Sequence, residues 1–151
     1  MRRLILLTGL TCFLLGASGD NPAPVAKPTT ARPSQAKAGL EEVQALVDAG
    51  KYKLAIRKGL KIGKKAKDAK AYNLVGYSYR QLGRYKKAIK AYKIALRIDP
   101  TLSIAKEYLA IAYLKQGDAK QAKKIYKVLK SENPKLAKMV KFEAEKLGIS
   151  L

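Results

Sequence analysis

A period of 34 residues in the second half of the chain restricts its fold more than any other feature of the sequence. Residues of the same kind recur at that spacing, in the pairs Val75 and Leu109, Tyr79 and Tyr113, Gly83 and Gly117, Ala88 and Ala122, Tyr92 and Tyr126, and Pro100 and Pro134. A fixed period of this length indicates stacked helical hairpins, because one hairpin alone cannot bury its apolar face. The sequence therefore predicts an all-α array of repeated units.

A less regular copy of the unit precedes these two with a slip of one residue. Its matching residues lie 33 positions before their counterparts and are Gly50, Tyr52, Ala55 and Ile56. Gly59 stands where the later units have Tyr92 and Tyr126, so this copy is the poorer one. A terminal repeat has a neighbour on one side only, and an atypical sequence is expected there.

The middle unit predicts how one hairpin buries its apolar face. The residues at i, i+3, i+4 and i+7 of its first helix are Tyr72, Val75, Gly76 and Tyr79. Gly83 is expected to end that helix, because glycine readily adopts a positive φ. The facing stripe of the next helix consists of Ala88, Tyr92 and Ala95. Small residues on both helices favour a close approach, and the tyrosines fill the space that remains.

A last helix is predicted after the repeats. Asn133 is expected to cap it, with Pro134 at its first position. Its predicted buried side consists of Leu136, Met139, Val140, Ala144 and Leu147. Lysines keep the rest of the helix polar, as a helix that covers the end of an array requires.

The segment YNLVGYSYRQLGRYKKAIKAYKIALRIDP, residues 72–100, resembles the tetratricopeptide repeat (TPR) family. The resemblance extends over about residues 38–136 and is strongest in this middle unit. The third unit departs from the family pattern at Lys106, where the family prefers an aromatic residue, and at Leu129, where it prefers alanine.

The resemblance implies a right-handed α-solenoid of about three TPR helical hairpins. The repeats are expected at about 38–67, 69–102 and 103–136, in a domain of residues 38–151 that includes a capping helix at 135–148. Members of the family usually hold protein partners, commonly in the concave groove. The resemblance implies no reaction, so we expect a non-enzymatic protein–protein interaction scaffold or adaptor.

In this fold class the groove is lined by residues beside the core stripe of each leading helix. The predicted groove residues are Asn73, Tyr77, Arg80, Glu107, Ile111 and Leu114, preceded in the first unit by Leu40, Gln44 and Val47. Tyr77 and Arg80 are the better candidates, since tyrosine and arginine are frequent anchors at interfaces. Ile111 and Leu114 have an alternative place, packed against the capping helix.

A second candidate surface follows from the charge. Lys plus Arg numbers 32 against 11 Asp plus Glu, a formal net charge of +21. The trailing helices carry cations in register, and we name this set the basic ridge: Lys53, Arg57, Lys86, Lys90, Lys93, Arg97, Lys120, Lys124 and Lys127. It is either a solvated face or a docking surface for an anionic membrane, an envelope polymer or an acidic protein. Nucleic acid is disfavoured, because no aromatic residues interleave the cations.

Composition argues against several kinds of chemistry. The chain has no histidine, and its only cysteine is Cys12, so imidazole bases and His/Cys metal sites are not expected. Ser103 and Lys106 match the S-x-x-K acylation motif, but the companion motifs S-D-N and K-T-G are absent from the sequence. We predict no catalytic residues, no metal, no cofactor and no small-molecule substrate.

The first 37 residues predict export rather than fold. Arg2 and Arg3 precede the apolar run Leu4–Gly16, and small residues follow it, which is the layout of a signal peptide over residues 1–19 with cleavage near Gly19. The alternative is an uncleaved anchor. Residues 20–37 hold four of the six prolines and predict a Pro/Ala-rich flexible linker. The expected location is the bacterial periplasm.

Overall fold

The computed structural model describes residues 33–151, which form seven α-helices and no strand. The helices are α1 (Pro33–Asp48), α2 (Tyr52–Ala66), α3 (Ala69–Gln81), α4 (Tyr85–Ile98), α5 (Ser103–Gln116), α6 (Ala119–Glu132) and α7 (Pro134–Lys146). Each helix packs against the next along the chain. The predicted all-α solenoid of helical hairpins is confirmed, with α1–α2, α3–α4 and α5–α6 as hairpins and α7 as the last helix.

Contacts between hairpins divide the described helices into two layers. The inner helix α3 contacts both α1 and α5, and α5 also contacts α7. By contrast, α2, α4 and α6 do not contact one another within residues 33–151. Hence α1, α3, α5 and α7 form the inner layer, where the array curves inward, and α2, α4 and α6 form the outer layer.

Glycines follow the leading helix of the second and third hairpins in the left-handed region. Gly83 has φ 68° and Gly117 has φ 89°, conformations that residues with a Cβ rarely adopt. At the first of these turns the Arg84 N–H donates to the Tyr79 carbonyl at 2.9 Å, so the helix end is satisfied by backbone bonds. The prediction that Gly83 stops the helix is confirmed.

Asx side chains begin three of the helices. The Asp68, Asp118 and Asn133 side chains accept hydrogen bonds from the backbone N–H groups at the starts of α3, α6 and α7, at 3.0, 3.1 and 3.2 Å. Each bond satisfies a donor that has no partner inside its helix. The predicted cap at Asn133, with proline at the first helical position, is confirmed.

The core consists of the repeated tyrosines and small residues. Tyr92 is fully buried, and Ala88 and Tyr113 are also buried, whereas Tyr79 is partly buried and packs against the same cluster. Gly59, the residue that makes the first copy look degenerate, has a packing role. A Cβ at that position would lie 2.6 Å from Cγ2 of Val75, so glycine allows α2 to approach α3 closely.

Two predicted boundaries and one predicted face differ from the structure. Helix α1 begins at Pro33, inside the predicted linker 20–37, because proline suits the first position of a helix and no other proline follows in α1. Helix α7 covers Pro134–Lys146, not 135–148. Its buried face consists of Ala137, Val140 and Ala144, whereas Met139 and Leu147, which we expected to be buried, are exposed.

The predicted signal peptide 1–19 and residues 20–32 of the predicted linker lie outside the described residues. Among residues 33–151, none of the helices combines the length and apolarity that crossing a bilayer requires.

Candidate partner-binding groove

An open groove lies on the inner layer where α3, α5 and α7 meet. Its volume is about 520 Å³. The groove is lined by Tyr77, Arg80, Glu107, Tyr108, Ile111, Lys138, Met139, Phe142 and Glu143. It therefore combines four residues of α7 with aromatic, apolar and charged residues from two successive repeat units.

Arg80 is held against two tyrosine rings in this groove. Its guanidinium carbon lies 5.0 Å from the centre of the Tyr77 ring and 5.2 Å from that of the Tyr108 ring, within cation–π distance of both. No carboxylate within residues 33–151 pairs with Arg80, and its buried Nε has no hydrogen-bond partner. The groove thus contains a positioned cation that no carboxylate of the described residues pairs with.

Glu107 is the buried acid of the groove. The residue is only 1 % exposed, and its Oε2 has no hydrogen-bond partner among the described residues. Burial raises the pKa of the carboxyl above its usual value, and the positive charge of Arg80 opposes this rise without cancelling it. Glu107 therefore binds a proton more readily than an exposed glutamate, and it compensates the Arg80 charge only while ionised.

Tyr92 adds a third polar group beneath the groove. Its ring lies 6.0 Å from that of Tyr108, and its buried hydroxyl has no hydrogen-bond partner within residues 33–151. Burial raises the pKa of this phenol far above its usual value, with Arg80 opposing the rise. The hydroxyl is close enough to feel the guanidinium charge, but no bond of regular geometry joins them. Burial likewise raises the pKa of the Tyr108 phenol.

Helix α7 supplies an apolar rim. Met139 is 49 % exposed and Phe142 is 59 % exposed. Glu143 beside them is paired with Lys115 at 3.4 Å and with Lys146 at 3.6 Å, so its charge is compensated. The rim therefore presents apolar surface next to the cation of Arg80.

The structure brings together four of the six predicted groove residues. Tyr77, Arg80, Glu107 and Ile111 all line the same groove. Asn73 lies in a separate depression of about 370 Å³, together with Leu40 and Gln44 of α1.

Two residues expected beside the groove belong to the core instead. Leu114 is 3 % exposed and packs in the cluster that includes Val140 of α7, which agrees with its alternative place against the capping helix. Val47 is buried with Val43 and Ala55. Both side chains are apolar and are covered by neighbouring helices, so neither lines an open surface.

Sequence reasoning missed Tyr108 and every groove residue of α7. Tyr108 lies 34 positions after Leu74, so the repeat pattern signals an unusual aromatic residue there. The α7 residues Lys138, Met139 and Phe142 have no counterpart in the repeats, and their exposure depends on the rotation of α7 about its axis.

All nine cations of the basic ridge are exposed on α2, α4 and α6. None of them forms an ion pair with a described residue. Lys93 lies over the ring of Tyr113, with Nζ 5.7 Å from the ring centre.

Within residues 33–151, no group of three or more His, Cys, Asp or Glu side chains lies close enough together to hold a metal ion.

Comparison with known proteins agrees with this architecture. Residues 69–102 and residues 105–135 each match a family model described as tetratricopeptide repeat. No curated protein sequence matches the chain.

Solved structures with a similar fold include a fungal, a human and a bacterial protein. The Sgt2 TPR domain from Aspergillus fumigatus has a TM-score of 0.69 at 20 % identity, over 80 % of this chain and 83 % of that one. The second TPR domain of human RPAP3, in complex with an HSP70 peptide, has a TM-score of 0.69 at 21 % identity, over 78 % and 98 %. The Yersinia enterocolitica type III secretion chaperone SycD, with a peptide of the translocator YopD, has a TM-score of 0.69 at 15 % identity, over 78 % and 95 %. This chain is therefore an α-solenoid of helical hairpins that contains tetratricopeptide repeats at residues 69–102 and 105–135.

Proposed function

We propose that this protein is a non-enzymatic adaptor that binds an extended segment of a partner protein in the groove between α3, α5 and α7. The observation that carries this proposal is Arg80, which two tyrosine rings hold in an open groove without a carboxylate partner among the described residues. Arginine and tyrosine are among the residue types that most often dominate binding energy at interfaces.

Related folds support a peptide ligand. The RPAP3 domain is in complex with an HSP70 peptide, and SycD with a peptide of YopD. The similarity in fold covers 98 % of the solved RPAP3 domain and 95 % of the solved SycD chain. Those ligands belong to the related proteins, and the chemistry of a segment bound here depends on the residues of this groove.

The groove favours a segment with a hydrogen-bond acceptor next to an apolar side chain. Arg80 and Lys138 offer positive charge, while the charge of Glu143 is compensated by two lysines. Glu107, the one remaining acid of the groove lining, is only 1 % exposed, so its carboxylate is shielded from a ligand. Met139 and Phe142 supply exposed apolar surface beside these groups, so a partner side chain buries apolar area there on binding.

The test is selection of ligands from a random-peptide display library with the full-length chain. A selected peptide is then measured by fluorescence anisotropy against Arg80→Ala, Phe142→Ala and the control Lys120→Ala, whose side chain is exposed on α6. We expect affinity to fall at least about tenfold for the two groove variants, equivalent to about 1.4 kcal/mol, and to stay unchanged for the control. Circular dichroism establishes that the variants remain folded.

Two results contradict the proposal. One is a set of selected peptides that bind wild type, Arg80→Ala and Phe142→Ala equally well. The other is a selection that yields only peptides competed away by ligands of the basic ridge.

We further propose that the protein acts in the bacterial periplasm after removal of its first residues. The support is the basic start, the apolar run Leu4–Gly16 and the small residues that end at Gly19. Expression in a Gram-negative host, followed by fractionation and intact-mass measurement, is expected to give a periplasmic chain that begins near Asp20. Leu7→Arg, which interrupts the apolar run, serves as the control. A full-length mass in the cytoplasmic fraction of wild type contradicts export.

A further inference from the structure

The cations of this protein are concentrated on the outer helices. The two layers of the hairpins have equal lengths, 43 residues in α2, α4 and α6 and 43 in α1, α3 and α5. The outer three helices contain 16 Lys or Arg and a single acid, Glu132. The inner three contain five cations and four acids. Exposure explains part of this division, since α3 and α5 have only two exposed residues each. It does not explain the near absence of acids from the outer helices, because a surface that serves only solubility carries both signs of charge.

The outer cations are available for a ligand. All nine members of the basic ridge are exposed, and none pairs with an acid among the described residues. Of the other outer cations, Lys58 is paired with Glu42. Acidic residues of the described part of the chain therefore neutralise very little of the positive charge of the ridge.

The spacing of the ridge fits a string of closely spaced anions. Lys86 and Lys90, like Lys120 and Lys124, are four residues apart, which places them about 6 Å apart along the helix axis. Fourteen of the 16 outer cations are lysines, which act as compact point charges rather than as planar forks for one defined acid. This composition suits a ligand recognised by its charge density.

Other features of the outer helices indicate which kind of anion the ridge can bind. Ile98 and Val128 are the only exposed large apolar residues of the described outer helices, which leaves little to insert into a bilayer. Because α2, α4 and α6 do not contact one another, their cations stand on separate helices with space between them. A flexible chain can follow the cations from one helix to the next.

We propose that the basic ridge binds a flexible linear polymer of closely spaced phosphate groups. This binding is independent of the peptide groove, since the ridge lies on the outer helices and the groove on the inner ones. Both surfaces can be occupied at once, so the protein would hold a partner segment on one side and a polyanion on the other.

The experiment measures binding of long-chain inorganic polyphosphate to the full-length chain as a function of salt. The test variant carries Lys86→Gln, Lys90→Gln, Lys120→Gln and Lys124→Gln, four exposed positions without ion pairs or ring contacts among the described residues. We expect its affinity to fall at least tenfold. The plot of log affinity against log salt has a negative slope, and its magnitude should fall by roughly 3 in the test variant. Each phosphate that is no longer neutralised on a flexible strand reduces that magnitude by about 0.7.

The control removes the same charge elsewhere, through Lys37→Gln, Lys70→Gln, Lys135→Gln and Lys141→Gln, all exposed on α1, α3 and α7. Of these four lysines only Lys141 has an ion pair among the described residues, with Glu145 at 3.6 Å. Its affinity should fall by less than about twofold, and its salt slope should stay unchanged. Arg80→Ala should bind polyphosphate with the same affinity as wild type, which would show that the polymer does not bind in the peptide groove. An oligothymidylate of equal total charge should bind more weakly than polyphosphate, because its phosphates are spaced more widely.

Four results overturn the inference. The first is an equal loss of affinity in the test and control variants. The second is an unchanged salt slope in the test variant. The third is tighter binding of the oligothymidylate, since that assigns the ridge to a nucleic acid. The fourth is binding to vesicles that contain anionic lipid at salt concentrations where neither phosphate polymer binds, since that assigns the ridge to a membrane.

Discussion

The ring of Tyr92 occupies the space in which a side chain at position 76 would have to lie. A Cβ on Gly76 would be 2.5 Å from Cε1 and 2.6 Å from Cδ1 of Tyr92, closer than real contacts allow. Tyr92 is fully buried, so its ring can move away only by displacing the residues that cover it. Gly76 on α3 and Tyr92 on α4 together determine how closely the two helices of the middle hairpin approach.

Gly76→Ala should therefore destabilise the protein. A Cβ contact as short as 2.5 Å belongs at the upper end of the about 1–3 kcal/mol that overpacking a core costs, and that end exceeds the gain of about 1 kcal/mol in helix propensity. Urea denaturation measures the free energy of unfolding. A double-mutant cycle with Tyr92→Leu is the control, because the cost should shrink when the ring is absent. A Gly76→Ala protein as stable as wild type would refute this account of the hairpin.

Tyr92→Phe should leave the protein as stable as wild type or stabilise it by up to about 1 kcal/mol. The substitution removes a buried hydroxyl that has no hydrogen-bond partner among the described residues, and it keeps the ring in place. Thermal and urea denaturation both report the change. A loss of more than about 1 kcal/mol would mean that the hydroxyl makes a bond in the folded protein.

Glu107→Gln should stabilise the protein at pH 7, by an amount on the order of 1 kcal/mol. The pKa of Glu107 is raised in the folded state by burial, so its ionised form costs stability once pH rises above the usual glutamate value of 4.5. The wild type recovers that stability as pH falls back through the folded pKa toward 4.5. The difference between the two proteins should therefore shrink with acidification, which urea denaturation across this range measures. A difference independent of pH would exclude titration of Glu107 as its cause.

Substitutions at two α7 residues should have opposite effects on stability and on peptide affinity. Val140 is fully buried in the core, and Val140→Ala should lower the free energy of unfolding by about 1–3 kcal/mol. Phe142 is exposed at the groove, and Phe142→Ala should change stability by less than about 0.5 kcal/mol. Denaturation and binding of a selected peptide are measured on both. A destabilised Phe142→Ala with unaltered peptide affinity would place that ring in the core instead of the binding rim.

Much of the fold was predictable because it repeats. The 34-residue period ties the turn glycines, the small residues and the core tyrosines together, so a weak signal at one position is reinforced by its counterpart. Exposure of the basic ridge was predictable for a related reason. Lysines at helical spacing opposite a buried stripe have only solvent to face.

Features outside the repeat were harder to predict. The α7 sequence offers two overlapping apolar stripes, one with Met139 and one with Ala137, and only packing against α5 and α6 decides between them. The same packing buries Leu114 and opens the groove beside Ile111. The sequence shows a glycine at position 59. The reason that a small residue is needed there is the close approach of Val75, which becomes known only once α3 is placed in the structure.

The place of α7 limits how an array of this kind can be enlarged. Because α7 rests on both helices of the last hairpin, no further unit can stack there without displacing it. New 34-residue units would have to enter ahead of Pro134, each adding one inner helix to the groove and one lysine-bearing helix outside. Insertion in such steps would give engineered receptors of graded length, all ending in the same terminal helix.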